Sequence, residues 1–191
     1  IAVDAFNETH IQTIADSVAG WATWERLPEA ASPETFGGRL AVTEIMIGWP
    51  EPEWLLPSPI KLLLCPSAGY ETYLGHGLES KPGFTFCNAG ETYSEGVAGH
   101  CLAMMMALAR RLPEYIHAMQ AKTWRHLNGH ANLSGASVCI VGLGGIGLAL
   151  ARRCAALDMT VTGVRRNPTP VGDTVQKVYP VEHLAEAVAG A

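Results

Sequence analysis

The stretch Val138-Cys139-Ile140-Val141-Gly142-Leu143-Gly144-Gly145-Ile146-Gly147 constrains this chain more than any other. Its β-branched first half suits a buried strand, and the Gly-x-Gly-x-x-Gly that follows predicts a tight turn opening into a helix at Gly145-Ile146. Each glycine has its own steric task. Gly142 allows the turn, Gly144 lets a pyrophosphate approach the backbone, and Gly147 lets the helix lie close on the strand. The exposed N–H groups of the helix start, at Gly145, Ile146 and Gly147, would face the phosphates, where the helix dipole favours negative charge. An Ala/Leu-rich helix from Leu148 to Leu157 and a second strand, Met159 to Val164, complete a strand–helix–strand unit. A bare glycine motif is weak evidence. In this setting it marks a dinucleotide site, with an unliganded glycine turn as the alternative.

The residue closing the second strand selects the dinucleotide. An Asp or Glu there holds the ribose 2′-hydroxyl of NAD, whereas an Arg accommodates the 2′-phosphate of NADP. This chain reads Val164-Arg165-Arg166-Asn167-Pro168, with no acidic residue between Asp158 and Asp173. A guanidinium offers the phosphate a bidentate, permanently charged partner. Arg165 and Arg166 therefore point to NADP(H), with NAD(H) still possible; two solvated loop arginines are the plain alternative.

At 191 residues the chain suits one large domain or two small ones. A net charge of −5 argues against binding nucleic acid, which needs a basic face. The five cysteines form no CxxC or Cys/His metal spacing, so buried free thiols in a reducing, cytoplasmic setting are expected, and no metal site. Ile1 to Asp4 has no basic signal-peptide start. The longest apolar stretch, Cys101 to Ala109, is too short to span a bilayer, so no membrane partner is expected.

Strand-like and helix-like segments alternate through the first ninety or so residues. Ile1 to Val3 reads as a strand, and Glu8 to Val18 as an amphipathic helix with Ile11, Ile14, Ala15 and Val18 on one face. Leu40 to Gly48, Ile60 to Cys65 and Phe84 to Asn88 read as further strands, with a turn at Trp49-Pro50-Glu51-Pro52. Parallel strands covered on both faces follow from that alternation. Thr92 and Glu95 then form a capping box for a long helix. Val97 to Leu112 is apolar almost all round, which predicts burial. Arg110 and Arg111 suit its C-terminal end, and Pro113 its stop. A lobe boundary falls near Tyr93, giving lobes 1–93 and 94–191, and a last helix runs from Val181 to Ala189.

Several stretches in order resemble the D-isomer-specific 2-hydroxyacid dehydrogenases: Ile60 to Leu64 followed by Ser67-Ala68-Gly69-Tyr70-Glu71, Phe84 to Gly90 with Tyr93 to Ala98, Leu133-Ser134-Gly135, and the glycine motif. The resemblance implies an α/β protein, a flavodoxin-like substrate lobe followed by a truncated Rossmann lobe. It further implies hydride transfer between a nicotinamide cofactor and a D-2-hydroxy acid or 2-keto acid. The backbone of Ser67, Ala68 and Gly69 would meet the substrate carboxylate, and the protein would be a homodimer. Gly99 departs from the family, which has a glutamate there. The family's catalytic Arg, acid and His have no counterpart before Ala191, so the chain resembles an N-terminal fragment, expected to be inactive alone, with no catalytic residue assigned.

The seven histidines carry no carboxylate at a motif spacing; His100 is expected in the helix core or an interface, and the others in solvent. Ser67 and Ser134 lack a partner base, so a hydrolase is excluded. Two readings stand beside the dehydrogenase: a non-enzymatic, corepressor-like relative that senses a dinucleotide, and an unrelated enzyme sharing only the glycine motif.

Overall fold

A computed structural model describes residues 6–26 and 37–191, so the strand expected at Ile1 to Val3 lies outside the described residues. The chain divides into two compact units, Ile1–Gly90 and Glu91–Ala191. Each is an α/β unit built on a parallel sheet.

In the first unit, helix α1 (Glu8–Val18) starts at Asn7, whose side chain accepts the His10 N–H at 3.0 Å. Ile11 is buried and Ile14, Ala15 and Val18 are half-buried beside it, the face expected from the 3.6-residue period. The strand expected over Leu40 to Gly48 is shorter. A 3-10 turn, Gly37–Val42, takes its first half, closed by Thr43 Oγ1 donating to the Arg39 carbonyl at 2.7 Å. Strand β1 (Ile45–Ile47) remains and pairs with β2 (Leu62–Cys65), which pairs with β3 (Thr85–Asn88). Leu63 and Cys65 are buried while Leu62 and Leu64 are half-exposed, the alternation of a strand with one face inward. They meet Met46, Leu55, Ile60, Tyr73 and Leu78 in one core. The connections are short: the four-residue helix α2 (Pro52–Leu55) and two 3-10 turns, Glu71–Tyr73 and Leu78–Ser80. The aromatic rings of Tyr73 and Phe86, with centroids 5.2 Å apart, help to cover the sheet.

The second unit opens with a 3-10 turn, Gly90–Tyr93, leading into helix α3 (Ser94–Ala109). The expected capping box is absent, because Thr92 already lies inside that turn and Glu95 is drawn to Arg152 and Arg153. The expected burial also fails. Only Ser94 and Ala98 of α3 are buried, and Val97, Met104, Met106 and Leu108 are exposed. An all-round apolar pattern cannot distinguish a core helix from one with an uncovered face. The helix stops on schedule, with Arg111 in the left-handed region (φ 55°), but Pro113 begins a further helix, α4 (Leu112–Gln120). Proline suits a first helical turn, where its missing N–H costs nothing.

Strands β4 (Ser137–Val141), β5 (Thr160–Val164) and β6 (Lys177–Tyr179) lie in that order, with α5 (Gly145–Ala155) crossing from β4 to β5. This arrangement is one half of the doubly wound order in which nucleotides sit at the carboxyl ends of the strands. Ile140, Leu143, Ala151, Cys154, Met159, Val161 and Val175 form its core. The last expected helix splits into a 3-10 turn, Val181–His183, and α6 (Leu184–Ala189).

Candidate functional site

The glycine turn sits where β4 ends. Gly142 extends the ladder by donating its N–H to the Val164 carbonyl at 2.9 Å, and its φ of 99° lies where side chains are disfavoured. The chain then drops Leu143 into the core. Gly144 precedes α5 with extended backbone and no side-chain cap. Its carbonyl accepts the Leu148 N–H at 2.9 Å. A β-carbon added to Gly147 would lie 1.9 Å from the Gly142 carbonyl oxygen, so only glycine lets helix and strand meet this closely. A β-carbon on Gly144 would meet nothing within 4 Å. The turn is thus closed tightly on its inner side and open at Gly144.

Helix α5 has no acidic residue in its first turn. The N–H groups of Gly145, Ile146 and Gly147 have no acceptor within the helix, and the dipole adds partial positive charge there. An open glycine, a cradle of donors and no competing carboxylate fit a dinucleotide pyrophosphate. Gly145 has a second neighbour invisible in the local sequence: a β-carbon there would lie 2.5 Å from Ser94 Oγ on α3.

Arg165 follows β5 directly, and its N–H donates to the Tyr179 carbonyl at 3.1 Å. Because Val164 pairs with Val141 and receives the Gly142 N–H, the glycine turn and Arg165 lie at the same, carboxyl end of neighbouring strands. Arg165 is half-buried and Arg166 exposed. Neither guanidinium meets a carboxylate among the described residues. Asp158 precedes β5 and so lies at its other end.

Helix α5 is fastened to α3 from the side. Glu95 accepts from Arg152 at 2.7 Å and from Arg153 at 2.6 Å, and Arg153 also reaches the Glu95 carbonyl at 3.2 Å. The Arg153 guanidinium, then that of Arg152, hold the Glu95 carboxyl below the usual carboxylate range.

In the first unit, Ser67, Ala68 and Gly69 form the turn after β2. Ser67 Oγ donates to the Gly69 carbonyl at 3.0 Å, and Asn88 Nδ2 donates to the Ala68 carbonyl at 2.8 Å. The Ala89 N–H donates to the Ser67 carbonyl at 3.0 Å. The Ala68 and Gly69 N–H groups are uncommitted among the described residues. Glu71 crowds the turn, its Oε2 accepting the Tyr70 N–H at 2.9 Å. Behind it, burial and the neighbouring Cys65 raise the Tyr73 phenol above the ordinary tyrosine range.

One histidine does not sit in the core position considered for it. His100 is exposed rather than in a core. Two histidines do meet carboxylates: His183 Nδ1 lies 2.9 Å from Glu186 and His76 Nδ1 lies 3.4 Å from Glu53, both pairs substantially exposed. His130 stacks on Tyr115 and shares a 3.0 Å hydrogen bond with its hydroxyl. All five cysteines are free, but only Cys65 and Cys154 are buried. Among the described residues no cluster of three or more His, Cys, Asp or Glu could hold a metal ion. No described helix is long and apolar enough to cross a membrane.

A family model for the NAD binding domain of the D-isomer specific 2-hydroxyacid dehydrogenases matches residues 102–191. Over 138 residues the chain is 28% identical to a glyoxylate/hydroxypyruvate reductase of Arabidopsis thaliana, covering 70% of this chain and 40% of that protein. Over 80 residues it is 31% identical to a D-3-phosphoglycerate dehydrogenase of Archaeoglobus fulgidus, covering 41% of this chain and 15% of that one. The chain spans less than half the length of these curated relatives. Among solved structures, an acyclic imino acid reductase in complex with NADPH and D-Arg matches with a TM-score of 0.76 at 17% identity, over 97% of this chain and 60% of the other. An NADPH-dependent glyoxylate/hydroxypyruvate reductase from Sinorhizobium meliloti matches with a TM-score of 0.67 at 20% identity, over 95% and 57%. At these identities the solved structures speak for the fold alone.

Proposed function

We propose that this chain, whose residues 102–191 match the NAD binding domain of the D-isomer specific 2-hydroxyacid dehydrogenases, belongs to that family and carries the cofactor cradle of an NADP(H)-preferring oxidoreductase. Its reaction moves a hydride between the nicotinamide and carbon 2 of a D-2-hydroxy acid or its 2-keto counterpart. The glycine turn carries this reading: Gly147 locks α5 onto β4 while Gly144 leaves the backbone open. Gly142, Gly144, Gly145, Ile146 and Gly147 hold the pyrophosphate. Arg165 and Arg166, both uncommitted, pair with the 2′-phosphate. The cofactor supplies the hydride chemistry, and the protein supplies binding and orientation.

Residues 1–93 form the substrate lobe and 94–191 the nucleotide lobe in this reading. The Ala68 and Gly69 N–H groups, with Ser67 fixing the turn, receive the substrate carboxylate. The exposed Val97, Met104, Met106 and Leu108 of α3 support a homodimer, and the five free thiols a cytoplasmic setting. No residue of this chain is assigned proton transfer. Residues 1–191 alone are expected to leave glyoxylate and hydroxypyruvate unreduced, which following NADPH absorbance tests directly.

The cofactor preference is tested by titrating NADPH and NADH against the parent protein and Arg165→Asp. NADPH binds the parent more tightly, and the substitution removes an ionic hydrogen bond of about 1.5–3 kcal/mol, a shift of roughly tenfold or more in the ratio. Equal affinities in the parent, or an unchanged ratio in the variant, overturn the NADP(H) assignment.

A further inference from the structure

The described part of α3 contains one buried polar residue, Ser94, which is 8% exposed. Its hydroxyl has no hydrogen-bond partner among the described residues. The oxygen itself still reaches solvent, because no fully enclosed side-chain nitrogen or oxygen among the described residues lacks a partner, so it is open to a ligand. Its direction says where that ligand would lie. A β-carbon built on Gly145 would lie 2.5 Å from Ser94 Oγ but 3.5 Å from Ser94 Cβ, so the oxygen is the atom turned toward the first residue of α5. Gly145 opens an 11-residue helix whose preceding glycine, Gly144, has free space above it. The hydroxyl therefore borders the donor cradle at the α5 N-terminus.

Two features make Ser94 more than packing. Gly145 carries no side chain, and the space its β-carbon would need is taken by the Ser94 oxygen. A group from another helix thus stands where a turn residue would present its own. The Glu95 carboxylate also clamps the neighbouring residue onto Arg152 and Arg153 of α5, fixing α3 against α5 beside Ser94. The hydroxyl is held in place, able to donate, and without a protein acceptor.

We propose that Ser94 is a further cofactor-binding residue, whose hydroxyl donates a hydrogen bond to the dinucleotide pyrophosphate at the N-terminus of α5. This rests on the glycine turn being the nucleotide site. It assigns to α3 a direct share in a site that the sequence motif places wholly between β4 and α5. A charge-assisted hydrogen bond in a sheltered position changes affinity by about tenfold.

The test measures dissociation constants of NADPH and of ADP-ribose for the purified protein, for Ser94→Ala, Ser94→Thr and Gly145→Ala, with thermal unfolding of each. Ser94→Ala is expected to weaken both ligands by about tenfold without lowering the unfolding temperature. Ser94→Thr, which keeps the hydroxyl, retains most of the affinity. Gly145→Ala displaces the hydroxyl and weakens both ligands. A Ser94→Ala protein that binds both within twofold of the parent overturns the proposal and leaves the glycine-turn reading intact. Weakening confined to NADPH overturns the pyrophosphate assignment, because ADP-ribose carries the same pyrophosphate. A parent protein that binds neither ligand removes the nucleotide reading itself.

Discussion

The two units use three parallel strands each, yet their geometry is set by different devices. In the second unit, glycines at β4, α5 and β5 create contacts no other residue permits. Gly147 brings α5 onto the Gly142 carbonyl, and Gly163 makes room for Leu143, whose Cδ1 would lie 2.5 Å from an added β-carbon. An 11-residue helix then spans the crossover with Ala149, Ala151 and Cys154 fully buried. In the first unit the glycines meet side chains: an added β-carbon at Gly69 meets only the Glu71 carboxylate, at 3.1 Å, and one at Gly77 only the Leu56 side chain, at 3.9 Å. Side chains reaching across to the backbone hold its loops instead. Lys81 donates to the carbonyls of Leu55 and Ser58, and Asn88 to that of Ala68. Close approach suits a fixed cradle for a phosphate. Side-chain tethers leave a loop that can alter with its sequence.

The strongest way to break this comparison is Gly147→Ala. Alanine favours a helix over glycine by about 1 kcal/mol. A β-carbon 1.9 Å from backbone oxygen cannot be relieved by a rotamer change, so the net cost should be about 3 kcal/mol or more. Chemical denaturation should show that loss, together with loss of NADPH binding. Gly144→Ala is the partner experiment. Its β-carbon has open space and φ is −85°, so stability should change by less than about 1 kcal/mol. NADPH affinity should nonetheless fall roughly tenfold or more, because the methyl occupies the approach to the backbone. Unchanged affinity would mean the cofactor does not cross Gly144.

The difference between the units also governs what was legible in the sequence. The strands at Leu62–Cys65, Thr85–Asn88 and Thr160–Val164 are marked by short strand-like runs and the helix Glu8–Val18 by its 3.6-residue period, and they stand where these signals place them. The roles of Gly142 and Gly147 in the turn follow from their spacing, and φ at Gly142 and the contact at Gly147 match. Lys177–Tyr179 is too short to show alternation. Pro113 reads equally well as a stop or as a first helical residue, which hid α4. The capping box failed because Glu95 had stronger partners, Arg152 and Arg153, far along the chain. Ser94 was hidden for the same reason: its meeting with Gly145 depends on how two helices pack. Local patterns report local geometry, and non-local charge pairs and helix contacts lie beyond them.

A smaller effect tests the tethered unit. Asn88→Ala removes the hydrogen bond to the Ala68 carbonyl, which is exposed enough for water to replace it. A stability loss of about 1 kcal/mol is expected by denaturation. If the Ser67–Gly69 turn receives the substrate carboxylate, affinity for a 2-keto acid should weaken more than NADPH affinity does. Equal weakening of both ligands would say that the turn is not a separate substrate element.

The smallest expected effect is electrostatic and concerns the clamp between α3 and α5. Glu95 is held below its ordinary carboxylate range by Arg153 and Arg152, so the folded protein releases this proton at lower pH than the unfolded chain does. Between the folded and unfolded values the unfolded state binds more protons, and stability falls as pH drops. The contribution is therefore complete above the unfolded value, near 4.5, and is lost as pH falls through the lower, folded one. Other exposed glutamates, including Glu44, Glu79, Glu114 and Glu186, are lowered as well, so the parent's acid sensitivity is a sum. Glu95→Gln isolates one member. The stability gap between parent and variant should be widest near neutral pH and should close as pH falls below 4.5. High salt should narrow it further, since both arginines are partly exposed and their field is screened. A gap independent of both pH and salt would identify the Glu95 contact as packing rather than charge pairing.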